Sequence, residues 1–153
     1  MRVLVTGGAG YIGSHTLVEL QGCGHQVFAI DNFCNSSNEA LKRAMQISRI
    51  QLPFAAVDIR DLQALTDVLS SFKPDAIIHF AGLKSVEESN VDPLTYYDTN
   101  VLGTLRLLEA MAYVGCRRLI FSSSATVYGP PLYLPYDEKH PLRPENTYGK
   151  TKL

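Results

Sequence analysis

Neither sign of charge is in excess in this chain: 14 Lys+Arg stand against 15 Asp+Glu, a formal net charge of −1 over 153 residues. So even a balance leaves no basic footprint for nucleic acid or for an anionic lipid surface. A small anionic metabolite, which needs only local positive charge, stays admissible. Cysteine is scarce as well. Cys23, Cys34 and Cys116 are odd in number and form no CxxC or Cys/His cluster. That argues against a disulfide frame and against structural zinc, so no metal is expected and the thiols read as buried or incidental. No stretch reaches the roughly 18 apolar residues of a membrane span. The start Met1-Arg2-Val3-Leu4-Val5 runs into glycines rather than into the apolar core of a signal peptide. A cytoplasmic protein with no membrane or nucleic-acid partner is expected. Internal repeats and low-complexity segments are also lacking.

With 46% apolar and 19% charged residues, a chain of this length can bury about two-thirds of its unfolded surface in one domain, which excludes disorder. Short apolar runs alternate with longer amphipathic stretches, the pattern of β-α-β units around a parallel sheet covered on both faces. The runs predict five strands, at 3–5, 27–30, 54–57, 76–80 and 119–122. Helices are expected at about 11–22, 38–50, 61–72 and 93–114. In the last of these Leu94, Tyr97, Val101, Leu105, Leu108 and Ala112 recur at three and four, which predicts a buried stripe. After Tyr128 come Gly129, Pro130 and Pro131, then Pro135, Pro141 and Pro144: a proline-rich loop, long enough to suggest a functional role. A final helix is expected to begin near Asn146 or Thr147, and Leu153 follows about two turns later with no capping glycine, as in the front part of a larger protein.

The first strand leads into Gly7-Gly8-Ala9-Gly10-Tyr11-Ile12-Gly13, where Gly7, Gly10 and Gly13 keep a G-x-x-G-x-x-G spacing into a helix. Small residues there let backbone N–H groups approach a pyrophosphate, and the helix N-terminus adds partial positive charge. Asp31 ends the second strand 18 residues beyond Gly13, where a carboxylate can accept both ribose hydroxyls of an adenosine. Asn32-Phe33 follows with no arginine for a 2′-phosphate, which favours NAD over NADP. At the end of the third strand Asp58-Ile59 can meet the adenine, and Asp58 reads equally as the N-cap of the next helix. Phe80-Ala81-Gly82 ends the fourth strand at the same edge, with Lys84 just beyond, either near the phosphates or solvated at the surface.

Tyr148 and Lys152 stand four apart, hence on one face of the last helix. A phenol, ordinarily of pKa near 10, becomes a usable base beside an ammonium and a positively charged nicotinamide. Ser122-Ser123-Ser124 ends the fifth strand, where the hydroxyls are expected to project into the same cleft and Ser124 could hydrogen-bond the reacting oxygen and relay its proton to Tyr148. The alternatives are an exposed helix face and a serine run that merely ends a strand.

Taken together, Thr6 to His15, Asp31-Asn32, Asp58-Ile59-Arg60, His79-Phe80-Ala81-Gly82-Leu83-Lys84, Ser122 to Gly129 and Tyr148 to Lys152 resemble the UDP-glucose 4-epimerases, a branch of the extended short-chain dehydrogenase/reductases. The likeness covers essentially the whole chain. It implies a Rossmann-type doubly wound α/β sheet, with residues 1–153 an incomplete NAD-binding domain ending in the catalytic Tyr/Lys helix and the UDP-sugar domain absent. The implied activity is reversible interconversion of UDP-glucose and UDP-galactose at C4, in galactose metabolism, through a transient 4-keto sugar and tightly held NAD+. Carried over by motif, Tyr11, Ile12, Asp31, Asn32, Asn35, Ser36, Asp58, Ile59, Phe80, Ala81, Gly82 and Lys84 would contact NAD, beside the glycines Gly7, Gly10 and Gly13. Ser124, Tyr148 and Lys152 would form the catalytic trio. Lys84, Ser124 and Tyr148 would meet the UDP-hexose, and Tyr148 and Lys152 the cofactor as well. Asn100 matches a motif retained more broadly and reads equally as a buried polar group of its helix. Some bacterial members have a second asparagine where this chain has Thr99, which departs from their cofactor contact at that position while leaving a hydroxyl that can still donate. The related 4,6-dehydratases carry an acid/base pair where this chain reads Ala125-Thr126, without a carboxylate, so dehydration is disfavoured.

The resemblance further implies a homodimer through the fourth and last helices. Family members are longer, so the isolated chain is expected to let Lys152 fray and to leave the edge of the fifth strand open. The alternatives are an inactive dinucleotide-binding fragment or another NAD-dependent nucleotide-sugar epimerase or dehydratase.

Overall fold

A computed structural model describes residues 1–153. The strands β1 Arg2–Thr6, β2 Gln26–Asp31, β3 Phe54–Ala56, β4 Ala76–His79 and β5 Leu119–Phe121 form one parallel sheet in the order β3-β2-β1-β4-β5. The central strand β1 sets Thr6 opposite Ile30 on one side and His79 on the other. Its alternation sorts the core. Val3 and Val5 pack with Leu17, Val27, Ala29 and Leu41 on one face, while Leu4 packs with Ile30, Leu65, Leu69, Ile77 and Leu107 on the other. Both faces are covered, as the strands' continuous apolar character requires. Each fully buried Leu or Val contributes about 1.5–3 kcal/mol relative to exposure.

The helices are α1 Tyr11–Gly22, α2 Asn38–Ser48, α3 Leu62–Phe72, α4 Val86–Val91, α5 Pro93–Tyr96, α6 Gly103–Val114 and α7 Thr147–Thr151. Their ends follow local chemistry. Asp61 caps α3 by accepting from the Ala64 amide. Arg49, in the left-handed region at φ 57°, stops α2 short of Ile50. Gly115, also left-handed, closes α6.

Three sequence expectations need correction. Residues 93–114 are not one α-helix, because a π-helical turn at Tyr97–Leu102 separates α5 from α6. The apolar stripe on this stretch is not buried: Leu94 is 80% exposed and Leu105 55% exposed, and Tyr97 and Leu108 also face outward. The face toward the sheet carries Asn100, Gly103, Leu107, Ala110 and Met111 instead. This stretch has two apolar faces, and periodicity alone does not say which one meets the sheet. Finally, α4 occupies a stretch the apolar pattern left as connection.

β5 is the last strand in the order, and Ile120 on its face is exposed. Residues 129–146 run as the irregular proline-rich loop, preceded by a 3₁₀ turn at Ala125–Tyr128. No helix is long and apolar enough to cross a membrane.

Candidate functional site

The order β3-β2-β1-β4-β5 reverses direction between β1 and β4, and in open α/β sheets a crevice forms outside the strand ends at such a point. Here it is a cleft of about 530 Å³, inside the range of about 300–1,000 Å³ usual for small-molecule sites. Its floor is the glycine turn. Gly7 has φ +66°, and a Cβ on it would come within 2.7 Å of the Ala81 amide. A Cβ on Gly13 would collide with the Gly7 carbonyl. The turn and the helix start therefore nest against each other only because both lack side chains. Gly10 caps α1 without a side-chain hydrogen bond, and no acidic residue occupies the first turn. The first-turn amides, beginning at Tyr11 and Ile12, thus have no acceptor within the helix.

Asp31 closes this end. The Ala9 amide donates to one carboxylate oxygen at 2.9 Å, and the Phe33 amide and Ser36 hydroxyl donate to the other at 2.9 and 2.8 Å. These bonds aim a buried carboxylate into the cleft, which it lines together with Asn32, Cys34, Asn35 and Ser36. Asp58 lies outside the lining. It accepts from Asn32 and from the Arg60 amide and guanidinium, and Arg60 also pairs with Asp98 at 2.8 Å. That guanidinium holds the Asp58 carboxyl well below the usual carboxylate range. Asp58 is also not the cap of α3, a role taken by Asp61.

At the other end α7 begins at Asn146, whose side chain accepts from the Gly149 amide at 2.7 Å. Tyr148 and Lys152 line the same cleft as Gly7, Asp31 and Lys84. Lys152 is 6% exposed. The Ser123 hydroxyl donates to its carbonyl at 2.8 Å, and its ammonium lies 5.1 Å from the Phe121 ring centroid. Burial pushes its pKa below the ordinary lysine value. Ser124 does not line the cleft. Its hydroxyl caps the 3₁₀ turn, accepting from the Thr126 amide and hydroxyl, and Ser122 lines the cleft in its place.

Beneath the cleft His79 is fully buried. One ring nitrogen meets the Thr6 hydroxyl at 2.6 Å and the other meets Thr104 at 3.0 Å. Burial, and then the Lys152 charge, lower its pKa to about 3, so the ring is neutral and carries one N–H. The Thr104 hydroxyl donates to the Asn100 carbonyl, which assigns that N–H to Nε2, donating to Thr104, and leaves Nδ1 to accept from Thr6. Asn100 does not touch the cleft either. Its amide accepts from the Leu83 N–H and donates to the Leu83 carbonyl and to Thr151, so it ties the cleft wall to α7.

Of the other residues singled out in the sequence, Gly10, Ile59, Phe80, Ala81 and Gly82 also line the cleft. Sequence reasoning missed Ala9, Ile30, Cys34, Val57 and Leu83, which line it too, and Ser122 and Thr99, both weighed in the sequence, line it as well. Ile30 stands at the carboxyl end of β2 and Val57 just past that of β3, so their place at the strand ends, where ligands collect in open α/β sheets, held the signal for both. Thr99 reaches the cleft through the π turn, which no local pattern announced.

A family model described as GDP-mannose 4,6 dehydratase matches residues 4–153. UDP-glucose 4-epimerase 2 of Arabidopsis thaliana is 51% identical over 154 residues, covering 99% of this chain and 44% of that protein. The UDP-glucose 4-epimerase of Bacillus subtilis is 50% identical, covering 100% and 45%. A crystal structure of a UDP-glucose 4-epimerase from Stenotrophomonas maltophila, with bound NAD and formylated UDP-arabinopyranose, superposes with a TM-score of 0.97 at 46% identity, over 99% of this chain and 45% of that one. The epimerase from Bifidobacterium longum in complex with NAD+ and UDP gives 0.97 at 45% identity, over 99% and 46%. The chain thus spans less than half the length of the relatives it matches. Its glycine turn, switch-point cleft and Tyr/Lys helix accompany a match that runs from residue 4 to 153, and the chain belongs to the family of that model, with UDP-glucose 4-epimerases as its relatives.

Proposed function

We propose that this chain is the dinucleotide-binding and catalytic part of an NAD-dependent enzyme that interconverts UDP-glucose and UDP-galactose at C4. One observation carries the reading: Tyr148 and Lys152 line the same cleft as the glycine turn and Asp31. The residues fit the cofactor. Gly7 and Gly13 pack backbone on backbone where a Cβ would collide, which holds the start of α1 at the cleft wall with Tyr11 and Ile12 in the lining, so the uncapped amides there can meet a pyrophosphate. Asp31 stands where ribose hydroxyls would be accepted, and Lys84 adds positive charge between the two ends. When bound, NAD+ supplies a reversible acceptor for the hydride of sugar C4. Tyr148 takes the proton of the 4-hydroxyl as the carbonyl forms and returns it when the sugar is reduced, so no net oxidation occurs. Lys152 provides the positive charge that a phenolate needs beside it, and its own burial, with the Phe121 ring centroid 5.1 Å from the ammonium, keeps that charge poorly solvated.

Ser124 only accepts from Thr126, so its own proton is uncommitted, but a role at the reacting oxygen needs its hydroxyl to turn toward the cleft, whereas Ser122 is already at the wall. Dehydration requires an added acid/base pair, and the positions after Ser124 hold Ala125 and Thr126, the latter donating to Ser124. That favours epimerisation over the chemistry in the family model's description. The outward stripe of Leu94, Tyr97, Leu105 and Leu108 supports pairing with a second copy, because such apolar faces mark interaction surfaces. Three free cysteines suit a cytoplasmic setting. The test is the full-length protein, purified and monodisperse, supplied with UDP-galactose. Formation of UDP-glucose without added oxidant is expected; a protein that holds NAD yet leaves both sugars unchanged overturns the reading.

A further inference from the structure

The helix that carries Tyr148 is five residues long, far below the roughly 12 residues at which an isolated helix becomes even marginal in water. Its first three amides have no acceptor within the helix, yet each has one. The Gly149 amide donates to the Asn146 side chain at 2.7 Å, the Tyr148 amide to the Ser89 hydroxyl at 3.0 Å and the Thr147 amide to the Asn90 side-chain oxygen at 3.3 Å. Two of the three caps thus come from α4, nearly 60 residues away in sequence.

Ser89 is shaped for this. It is fully buried, and its hydroxyl proton is committed to the Val86 carbonyl at 2.7 Å, so its oxygen is left as an acceptor for the Tyr148 amide. Helix α4 itself is held at its start. The Tyr96 hydroxyl accepts from the Ser85 amide at 2.9 Å and donates to the Glu88 carboxylate at 2.8 Å. Just upstream, Asn100 clamps both backbone groups of Leu83, which lines the cleft. The segment that forms the cleft wall therefore ends as the cap of the Tyr148 helix.

We propose that Ser89 is a positioning residue for the reaction: by capping the Tyr148 amide from α4 it sets where the phenol stands, with Asn90 as a weaker second cap. The rate effect rests on the epimerase reading above; the structural effect does not. The experiment uses the full-length protein with Ser89→Ala, Asn90→Ala and Ser89→Thr, the last keeping the hydroxyl. Backbone hydrogen exchange at residues 147–149 and steady-state kinetics with UDP-galactose are both measured. Loss of one such hydrogen bond is expected to speed exchange at Tyr148 about tenfold in Ser89→Ala. A similar fall in kcat should accompany it, with KM and NAD content within about twofold. Asn90→Ala, at an exposed position, should act in the same direction but less, and Ser89→Thr should recover most of the loss. Unchanged exchange at Tyr148 in both alanine variants, or a fall in kcat that Ser89→Thr does not recover, overturns the proposal. If the unsubstituted protein turns over no UDP-galactose, the epimerase reading fails and the exchange data alone decide for or against the cap.

Discussion

The two ends of the cleft are built by opposite means. The glycine end is assembled mostly from neighbours: Gly7 to Gly13, then Asp31, Phe33 and Ser36, with Asp31 bonded to partners two, five and 22 residues away, and with the Ala81 amide packed on Gly7 as its distant contact. The Tyr148 end draws on Ser89, Asn100 and Ser123, with separations of 59, 51 and 29 residues. A strand, a glycine turn and a helix are a local unit that the chain can form early, whereas contacts at large separation depend on the sheet being in place. The first end therefore tolerates almost no side chain but needs little help, and the second accepts ordinary residues but needs the whole fold.

The largest expected effect tests that division directly. In the full-length protein Tyr148→Phe should lower kcat about 10²–10⁴-fold, the usual range for a lost acid/base group, with NAD content unchanged. Gly13→Ala, which drives a methyl into the Gly7 carbonyl, should instead strip NAD from the purified protein. Absorbance of released cofactor and steady-state kinetics separate the two, and a Tyr148→Phe protein that lost its NAD would show that the ends are not independent.

Next comes the contrast between the two faces of α6. Leu107 is fully buried, so Leu107→Ala should cost about 2–5 kcal/mol in urea denaturation. Leu105→Ala, on the outward stripe, should stay within about 0.5 kcal/mol for one copy and weaken association between copies, read by sedimentation. Equal costs in unfolding would refute the assignment of faces.

A smaller effect concerns His79. Its folded pKa of about 3 lies below the ordinary 6.5, so the unfolded chain binds the extra proton first. The stability that comes from keeping the ring neutral is fully present above about pH 6.5 and is lost as pH falls toward 3, by up to about 1.4 kcal/mol per pH unit. Denaturation midpoints between pH 7 and pH 4 should fall less steeply in His79→Gln than in the unsubstituted protein. Smallest of all, Asp61→Ala should cost about 1 kcal/mol by uncapping α3, visible as faster exchange in its first turn and nowhere in the cleft.

Legibility followed the same division. All five strands and the frames of α1, α2 and α3 could be read from apolar runs and periodicity, because buried strands and amphipathic helices write their burial into composition. The glycine spacing and Asp31 were equally plain. The spacing of Tyr148 and Lys152 marked a common helix face. It carried no sign that Lys152 would be buried against Phe121, because that depends on β5 ending beside α7. Ser124 and Ser122 are both serines at one strand end, and only the 3₁₀ turn that starts after Ser124 decides which faces the cleft. The short helix α4 had a local signal in Ser85 and Glu88, a capping-box spacing, though its apolar content was too low for periodicity to find.

Residue order alone determined that a parallel, doubly covered sheet would form and that a phosphate-sized hollow would open after its first strand, since hydrophobic pattern and glycine geometry act over a few residues. Tertiary structure decided which side of the long Pro93–Val114 stretch is buried, which serine reaches the cleft, and how a five-residue helix is held in place. Those outcomes turn on hydrogen bonds and packing between segments far apart in the chain, and such partners exist only once the sheet has brought them together.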